Sequence, residues 1–262
     1  MSSPRRTIHV LDLLARKGAL GVRGIAQQLD LPVGSVHRLL LELAEENVVE
    51  RNADGAWQLG YRLLEITDLQ LDGVGFPRLA RPYCEAIAEV TRETVNVNVL
   101  SGDACVCIDK VRGNEGMQLD WRIGSRGPLY AGGSAKAMLA FMSEADQVRV
   151  ANGPKTRFTS HTLTDATALL IELGRIRERG YSIDDQELVL GVFCVGVPIL
   201  DRIGRPVGGI SVSGPTAKAP GAEVEQLVKR LHDACGQVSK RLGYVGAWPP
   251  RDVVAPPLVA AF

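Results

Sequence analysis

The sequence has few of the features that mark membrane or secreted proteins. No stretch approaches the ~18 consecutive apolar residues that a membrane-spanning helix needs. Charged residues interrupt the N-terminal segment MSSPRRTIHVLDLLARKG, so this segment does not have the pattern of a signal peptide. The 5 cysteines are an odd set without paired spacing, which favours reduced thiols over a disulfide framework. We therefore expect a cytoplasmic protein that has no membrane partner.

The sequence also lacks the residue patterns of metal-binding proteins and of enzymes. Only 4 histidines are present, and no group of cysteines and histidines completes a four-ligand site around the Cys-Val-Cys of residues 105–107. The chain contains no Gly-x-Ser-x-Gly motif, no Ser-His-Asp order and no glycine-rich phosphate loop. We expect no metal, no cofactor and no catalytic activity.

The charge is balanced rather than basic. Lys plus Arg and Asp plus Glu each number 30, so the formal net charge gives no general sign of nucleic-acid binding. Residues 1–62 hold eight Lys and Arg against seven Asp and Glu, so the placement of these charges is more informative than their sum. At 262 residues the chain is long enough for two ordinary domains.

Residues 1–62 have the order of a winged helix–turn–helix domain. Apolar residues at helical spacing predict helices over residues 7–17 and 22–30, and LPVGSVHRLLLELAEENVV begins a third helix at its proline. Only DLPV separates the second helix from the third, which is the spacing of a helix–turn–helix. VVER and WQLG flank an Asp-Gly turn and predict a β-hairpin wing.

In such a fold the N-terminal turn of the third helix enters the DNA major groove. Arg38 can reach a guanine edge or a phosphate there, while Arg51 and Asn52 of the hairpin can reach the DNA backbone or the minor groove. The expected DNA-binding residues, which avoid the leucine face, are Gly34, Ser35, His37, Arg38, Arg51 and Arg23. The alternative is that the helices and the hairpin merely pack against a second domain.

A second domain is expected after a short linker. Apolar residues predict a linker helix over residues 63–76, which ends where glycines and a proline break the pattern. Beyond it, strands such as VNVNVL, ACVCIDKV and MQLDWRI precede helices, and GVFCVGVPILD and RPVGGISVSG form a strand pair. This order predicts an α+β domain over residues 77–243 with a largely antiparallel sheet. Residues 244–262 are rich in proline, and we expect a flexible tail there.

Two groups of segments resemble the IclR family of bacterial transcriptional regulators. IHVLDLLARKG, IAQQLDLPVGSVHRLLLELAEENVVER and WQLGYRLLEI follow that family's DNA-binding domain, although Val33 and Gly34 stand where the family commonly has Lys and Ser or Thr. GSRGPLYAGGSAKAMLAF, RERGYSIDDQELVLGVFCVGVPI and GRPVGGISVSGP follow its GAF-like effector-binding domain, in the same order. The resemblance implies a double-stranded DNA operator and a small organic acid effector as partners. Because one helix–turn–helix per chain recognises DNA weakly, we expect a homodimer with the linker and the first helix as its interface, and the resemblance extends this to a homotetramer.

The resemblance further implies one small-molecule pocket in the second domain. Its lining would comprise Gly133, Ser134, Asp184, Cys194, Ser211, Ser213, Leu129 and Trp121, together with Val195. These residue types suit an acid, because a helix start beside glycines presents unpaired N–H groups to an anion. Ser211 and Ser213 alternate along a strand, so both hydroxyls emerge on one face. Phe193 and Tyr130 stand where the family often has Arg and His, which predicts an aromatic pocket rim and an apolar or aromatic acid.

Each residue of this pocket also has a structural alternative. Cys194 could be inert core, Asp184 could be a turn former, and the two serines could satisfy the edges of the sheet. Ion pairs within the same segment are a further alternative, namely Asp185 or Glu187 with Arg177 or Arg179.

The functional alternative to a regulator is a small-molecule-binding domain with a catalytic or redox-sensing Cys194. A nucleophilic cysteine needs a base, and His161 and His232 are the candidates. A redox role needs a low thiol pKa, which the neighbouring acidic residues disfavour.

Overall fold

The computed structural model describes residues 3–113, 121–216 and 222–250, and the chain divides into two compact units between Val74 and Gly75. Each unit has its own hydrophobic core. No helix in these ranges combines the length and the apolar character that crossing a membrane requires.

The first unit is a helix–turn–helix domain with a hairpin wing, as the sequence predicts. Its elements are α1 (Ser3–Lys17), α2 (Val22–Leu29), α3 (Val33–Glu45), β1 (Val49–Arg51), β2 (Trp57–Leu59) and α4 (Arg62–Val74). The first helix begins at Ser3 rather than at residue 7. Its first turn is polar, so the apolar spacing of the sequence does not indicate it. Asp30 ends α2 in the left-handed region with φ 52°, and the Leu31 N–H bonds the Ala26 carbonyl at 3.0 Å. This tight turn leads directly into α3.

The apolar faces of these helices meet in one core. Its buried residues are Val10, Leu14, Ile25, Ala26, Val36, Leu40, Val49 and Trp57. The wing is attached to the same core, because Trp57 and Leu20 exchange backbone hydrogen bonds of 2.8 and 2.9 Å. The hairpin is therefore fixed to the helices rather than free to swing.

The second unit is an α+β domain built on one antiparallel sheet, which confirms the predicted fold class. Its helices are α5 (Pro77–Thr91), α6 (Gly133–Ala140), α7 (Glu144–Asn152), α8 (Ala166–Arg179) and α9 (Ala222–Arg241). Its strands are β3 (Thr94–Ser101), β4 (Ala104–Val111), β5 (Arg126–Pro128), β6 (Ser182–Asp185), β7 (Val192–Leu200) and β8 (Pro206–Pro215). The strands pair in the order β5-β4-β3-β8-β7-β6.

Helices cover both faces of this sheet. A Cβ atom added to Gly208 of β8 would overlap Phe76 at the start of α5. A Cβ atom added to the next residue, Gly209, would instead lie 3.1 Å from the side chain of Ser134 on α6. Since neighbouring strand residues point to opposite faces, α5 with α9 covers one face, and α6 with α8 behind it covers the other.

Two strand predictions need correction. Trp121 and Arg122 of MQLDWRI do not lie in a strand, and residues 117–120 lie outside the described residues. The edge strand is β5 instead, and its Gly127 leaves room for the Trp121 ring, which a Cβ atom there would approach to 2.6 Å. The strand β6 was not predicted, because it is short, acidic and without apolar alternation.

The start of the C-terminal segment differs from the flexible tail expected from its prolines. Tyr244 is buried, and Nε1 of Trp248 donates to the His232 carbonyl of α9 at 2.9 Å. Gly236 provides the room for this ring, because a Cβ atom there would lie 2.8 Å from Trp248 Nε1. The buried Tyr244 and the half-buried Trp248 hold this part of the segment against the domain. Residues 251–262 lie outside the described residues.

A close backbone approach in the second unit gives a stability prediction. A Cβ atom added to Gly196 of β7 would overlap the backbone of Gly133 and Ser134 at the start of α6. Gly196→Ala should therefore lower the free energy of unfolding by about 1–3 kcal/mol or more, because neither backbone can move away cheaply. Urea unfolding followed by circular dichroism measures this change.

Gly174→Ala is the matched control for that variant. Gly174 lies in α8, and a Cβ atom there would meet only an Arg177 nitrogen at 4.0 Å. This alanine should stabilise the helix by up to about 1 kcal/mol. Equal effects of the two substitutions would contradict the close contact between α6 and β7.

Candidate functional site

A cavity of about 300 Å³ lies on the α6 face of the sheet in the second unit. Its polar lining residues are Asn96, Asn98, Ser134, Asp184, Ser211 and Ser213. Its apolar lining residues include Trp121, Phe158, Leu188, Val189 and Val192. The volume falls at the lower end of the range for small-molecule sites, and the mixture of an apolar wall with few polar groups is typical of them.

The polar floor of the cavity follows from the strand register. Asn96 on β3 lies opposite Ser211 on β8. In the neighbouring row Ser213 lies opposite Cys194 on β7, and Cys194 lies opposite Asp184 on β6. Because side chains two residues apart on a strand share a face, both rows point into the same cavity.

Asn98 connects the floor to the helix above it. Its Nδ2 donates to Ser134 Oγ at 2.8 Å and to Ser211 Oγ at 3.5 Å. Its Oδ1 accepts a hydrogen bond from Trp121 Nε1 at 3.4 Å. These contacts fix the orientation of the amide and hold β3, β8 and α6 together around the cavity.

The first turn of α6 supplies hydrogen-bond donors to the cavity wall. Gly133 sits directly over β7, where a Cβ atom would lie 3.2 Å from Gly196 N and 3.3 Å from Cys194 Cβ. The first N–H groups of a helix have no partner within the helix, and the helix dipole adds partial positive charge at this end. The close approach therefore places an anion-favouring group of donors beside Cys194.

A buried ion pair closes the wall behind this helix start. Lys136 Nζ contacts the Glu187 carboxylate, and the two side chains are 1% and 7% exposed. The same ammonium group donates to the Ile183 carbonyl at 2.7 Å. Burial raises the pKa of Glu187 to about 7, and the Lys136 ammonium opposes that rise. Arg177 and Arg179, the expected partners of Glu187, bind other residues.

Asp184 faces the cavity from β6 and is almost fully buried. Its Oδ1 accepts the Glu187 N–H at 2.7 Å, which forms a turn. Asp184 also lines the cavity, so the two roles that the sequence offered as alternatives occur together. Burial raises the pKa of Asp184, while the Glu187 N–H and Lys136 act against this and Asp185 adds to it. The carboxyl group therefore accepts a proton more readily than an exposed aspartate.

Cys194 has the chemistry of a buried thiol. It donates a hydrogen bond to Ser213 Oγ at 3.1 Å. Burial raises its pKa, and the charge of Asp184 raises it further, so the thiolate is disfavoured. His161 is exposed on a loop and His232 packs against Tyr181 and Trp248, and neither lines the cavity. A nucleophilic or redox role for this cysteine is therefore not supported.

Two connected loops cover the cavity. Phe158 comes from the loop before α8, and Leu188 comes from the loop between β6 and β7. Thr162 Oγ1 donates to the Glu187 carbonyl at 2.7 Å, and Thr159 Oγ1 donates to the Gln186 carbonyl at 2.6 Å. These side-chain bonds make the two loops one apolar cover.

Most of the predicted pocket residues line this cavity, namely Gly133, Ser134, Asp184, Cys194, Ser211, Ser213 and Trp121. Leu129 does not, because it packs in the apolar core, and Val195 points to the other face of the sheet. Tyr130 hydrogen-bonds the backbone of Thr156, and Phe193 lines a separate surface cavity on the opposite face of the sheet. The prediction of an aromatic rim from these two residues is therefore wrong.

Several lining residues were missed from the sequence. The segment TVNVNVL alternates asparagine with valine, which was an available sign that Asn96 and Asn98 share one face of a strand. Phe158, Leu188 and Val189 come from loops without regular spacing, so no sequence pattern indicated them.

The predicted DNA-binding residues lie on the surface of the first unit. Gly34, His37, Arg38, Arg23 and Arg51 are exposed, and Ser35 is half-buried. On the same helix, Val36 and Leu40 point into the core. The Arg51 guanidinium lies 4.6 Å from the centroid of the Trp57 ring, which holds this wing residue in place. The arrangement is a polar helix face on α3 together with an exposed arginine, Arg51, on the wing.

Two domain families match the chain in the same order as its two units. Residues 3–53 match the IclR helix-turn-helix domain, and residues 70–240 match the bacterial transcriptional regulator IclR C-terminal domain. The chain belongs to the IclR family. Members of this family are DNA-binding transcriptional regulators with a C-terminal effector-binding domain, so the resemblance noted from the sequence is confirmed.

Known relatives agree with the assignment of this IclR-family chain. It is 35% identical to the HTH-type transcriptional regulator BhcR of Paracoccus denitrificans (strain Pd 1222) over 236 residues, 89% of this chain and 85% of that one. The crystal structure of Thermotoga maritima IclR superposes with a TM-score of 0.84 at 31% identity, covering 92% of this chain and 99% of that one. An IclR homologue from Microbacterium hydrocarbonoxydans, complexed with 4-hydroxybenzoate, superposes with a TM-score of 0.78 at 25% identity, covering 92% and 99%.

The buried ion pair beside the cavity of this IclR-family chain gives a second stability prediction. Glu187→Leu leaves the Lys136 ammonium in the interior without its carboxylate. The free energy of unfolding should fall by about 3–5 kcal/mol, because an uncompensated buried charge is costly. The double variant Lys136→Met/Glu187→Leu should recover most of this loss.

The control is an ion pair at the surface of the same unit. Arg149 pairs with Asp103, and their side chains are 48% and 65% exposed. Asp103→Ala should change the unfolding free energy by less than about 1 kcal/mol. If the Lys136 and Glu187 variants behaved like this exposed pair, the buried ion pair would be contradicted. Chemical denaturation of the wild-type protein and these three variants makes the comparison.

Proposed function

We propose that this IclR-family regulator binds its operator through α3 and the wing, and that a small aromatic or aliphatic carboxylic acid in the cavity controls operator affinity. The observation that carries the proposal is the cavity itself. Its wall holds the first turn of α6, whose N–H groups have no partner within the helix, and its floor holds two serine hydroxyls. An anion is the occupant that both groups favour.

The carboxylate is expected to bind at Gly133 and Ser134. Ser213 supplies a separate donor on the cavity floor, because its oxygen already accepts hydrogen bonds from Cys194 and from Asn96, which leaves its hydroxyl proton to donate. The apolar body of the acid then faces Trp121 and the loop cover. The complex of the Microbacterium hydrocarbonoxydans homologue with 4-hydroxybenzoate supports an acid of this size.

We further propose a homodimer, with a homotetramer as the larger assembly. One helix–turn–helix per chain binds DNA weakly, and dimers use two half-sites. The linker helix α4 supports this, because Leu64, Ile66 and Leu69 are 64%, 47% and 70% exposed. Ile8 of α1 is 57% exposed as well, and apolar helix faces of this kind are commonly covered in oligomers. The acid controls transcription if it binds one arrangement of the DNA-binding domains more tightly than another.

The division of roles can be tested by mutation. Arg38→Ala should make the free energy of operator binding less favourable by about 1–3 kcal/mol for each DNA contact that is lost, and should leave acid binding unchanged. Asp184→Ala and Ser213→Ala should abolish the response to acid and leave basal DNA binding unchanged. Gel mobility shifts on DNA flanking the chain's own gene, at several salt concentrations, measure the first. Adding benzoate, 4-hydroxybenzoate and aliphatic acids measures the second.

Lys229→Ala is the charge-matched control for Arg38→Ala. Lys229 is exposed on α9 of the second unit, so its loss removes one positive charge without touching α3. DNA binding should stay at the wild-type level. The proposal fails if Arg38→Ala behaves like this control, or if the cavity variants lose DNA binding and acid response together.

Acid binding should also depend on pH. The pKa of Asp184 is raised, chiefly by burial, and a bound carboxylate close by should raise it further. Protonated Asp184 repels the acid less and can donate to it, so affinity should increase as the pH is lowered. Calorimetric titration in buffers of different ionisation enthalpy measures the accompanying proton uptake.

Asp184→Asn provides the control for this pH dependence. It keeps the shape of the side chain but cannot titrate, so it should bind acids with a much flatter pH profile. Affinity that rose with pH, or an unchanged profile in Asp184→Asn, would contradict the role given to Asp184.

A further inference from the structure

One polar atom of the cavity floor has no hydrogen-bond partner among the described residues. Asn96 is 3% exposed, and its Nδ2 donates to Ser213 Oγ at 3.3 Å. Its Oδ1 accepts no hydrogen bond from any residue in the described ranges. A buried carbonyl oxygen of this kind is costly unless a donor reaches it. Since Asn96 lines the cavity, a ligand can bring that donor.

A buried amide oxygen without a donor is specific to Asn96, as the neighbouring asparagine shows. Asn98 lines the same cavity from the same strand, but Ser134, Ser211 and Trp121 engage both its nitrogen and its oxygen. Asn98 therefore organises the site, while Asn96 keeps an acceptor for an occupant. The carboxylate of an acid cannot satisfy this oxygen, because an ionised carboxylate only accepts hydrogen bonds.

Position separates this acceptor from the anion-binding donors. The backbone N–H groups of Gly133 and Ser134 lie over β7, whereas Asn96 belongs to β3, and β8 lies between these strands. Neighbouring strands are about 4.8 Å apart, so the two backbone positions are separated by about 10 Å. Asp184 lies on β6, on the far side of β7 from Asn96. A donor that meets Asn96 must therefore sit at the end of the ligand remote from its carboxylate.

We propose that Asn96 selects acids that carry a hydroxyl group remote from the carboxylate, by accepting a hydrogen bond from that hydroxyl. This specificity rests on the carboxylic-acid effector proposed above. A site that hydrogen-bonds a ligand hydroxyl rejects the analogue without it, because the protein group is then left unpaired. The hydroxy acid should bind about tenfold or more tightly than its deoxy analogue.

Two series of acids test this directly by calorimetric titration of the full-length protein. The aromatic series is benzoate, 2-hydroxybenzoate, 4-hydroxybenzoate and 4-fluorobenzoate, and the aliphatic series is pentanoate, 2-hydroxypentanoate and 5-hydroxypentanoate. In whichever series binds, only the acid with the remote hydroxyl should bind about tenfold more tightly than the acid without a hydroxyl. The fluoro compound separates hydrogen-bond donation from size and should match benzoate.

Variants assign the gain to one residue. With Asn96→Leu and the smaller Asn96→Ala, the affinity for the hydroxy acid should exceed the affinity for its deoxy analogue by no more than about threefold. Thr94→Val is the matched control, since Thr94 is buried on the same strand and face but does not line the cavity. It should keep the wild-type ratio.

The outcomes separate this proposal from the one it rests on. If wild-type protein binds an acid but gains nothing from the remote hydroxyl, the selection by Asn96 is overturned and the acid effector stands. A gain that persists in a folded Asn96 variant also overturns the selection. If none of the seven acids binds, both proposals fail. The comparison of acids on wild-type protein tests the selection even if the leucine variant does not fold.

Discussion

The cavity depends on how closely the first turn of α6 approaches the backbone of β7. Gly133 and Gly196 allow this approach, because a side chain at either position would press into the other backbone. Once the helix start lies on the sheet, Ser134 reaches Asn98 on β3. On the same helix, Lys136 reaches Glu187 beyond β6. One backbone contact thus places both the donors of the wall and the ion pair behind them.

The polar face of the sheet is unfavourable for stability unless its groups are paired. Asparagine, serine and aspartate side chains are buried along β3, β8 and β6, and each would lose solvation without a partner. Most find partners across the strands, and such networks fix one arrangement of a core. The opposite face carries apolar residues such as Val95, Val97 and Ile210, which pack under α5 and α9. Stability therefore comes mainly from the apolar face of the sheet, and the polar cavity lies on the other face.

The sequence predicted the fold and much of the cavity because period and motif are local properties. The helix–turn–helix followed from apolar spacing and the short DLPV turn. The resemblance to the IclR family placed Ser211 and Ser213 in the pocket, and strand alternation put them on one face. What failed depended on distant partners. Leu129 and Tyr130 precede the glycines of α6 but turn into the core, and Phe193 is on the wrong side of its strand. No local pattern states that Glu187 pairs with a lysine fifty-one positions away rather than with a nearby arginine.

The loop cover is the most exposed part of the cavity wall. Phe158, Val189 and Leu190 are 46%, 49% and 62% exposed, so the cover buries little apolar surface of its own. In the proposed complex, the apolar body of the acid would pack under this cover and add the contacts that it lacks. The same loop continues into β7, so binding energy gained at the cover would act on the strand that carries Cys194 and Gly196. The floor would recognise the polar groups of the acid, and the cover would become more ordered when the acid binds.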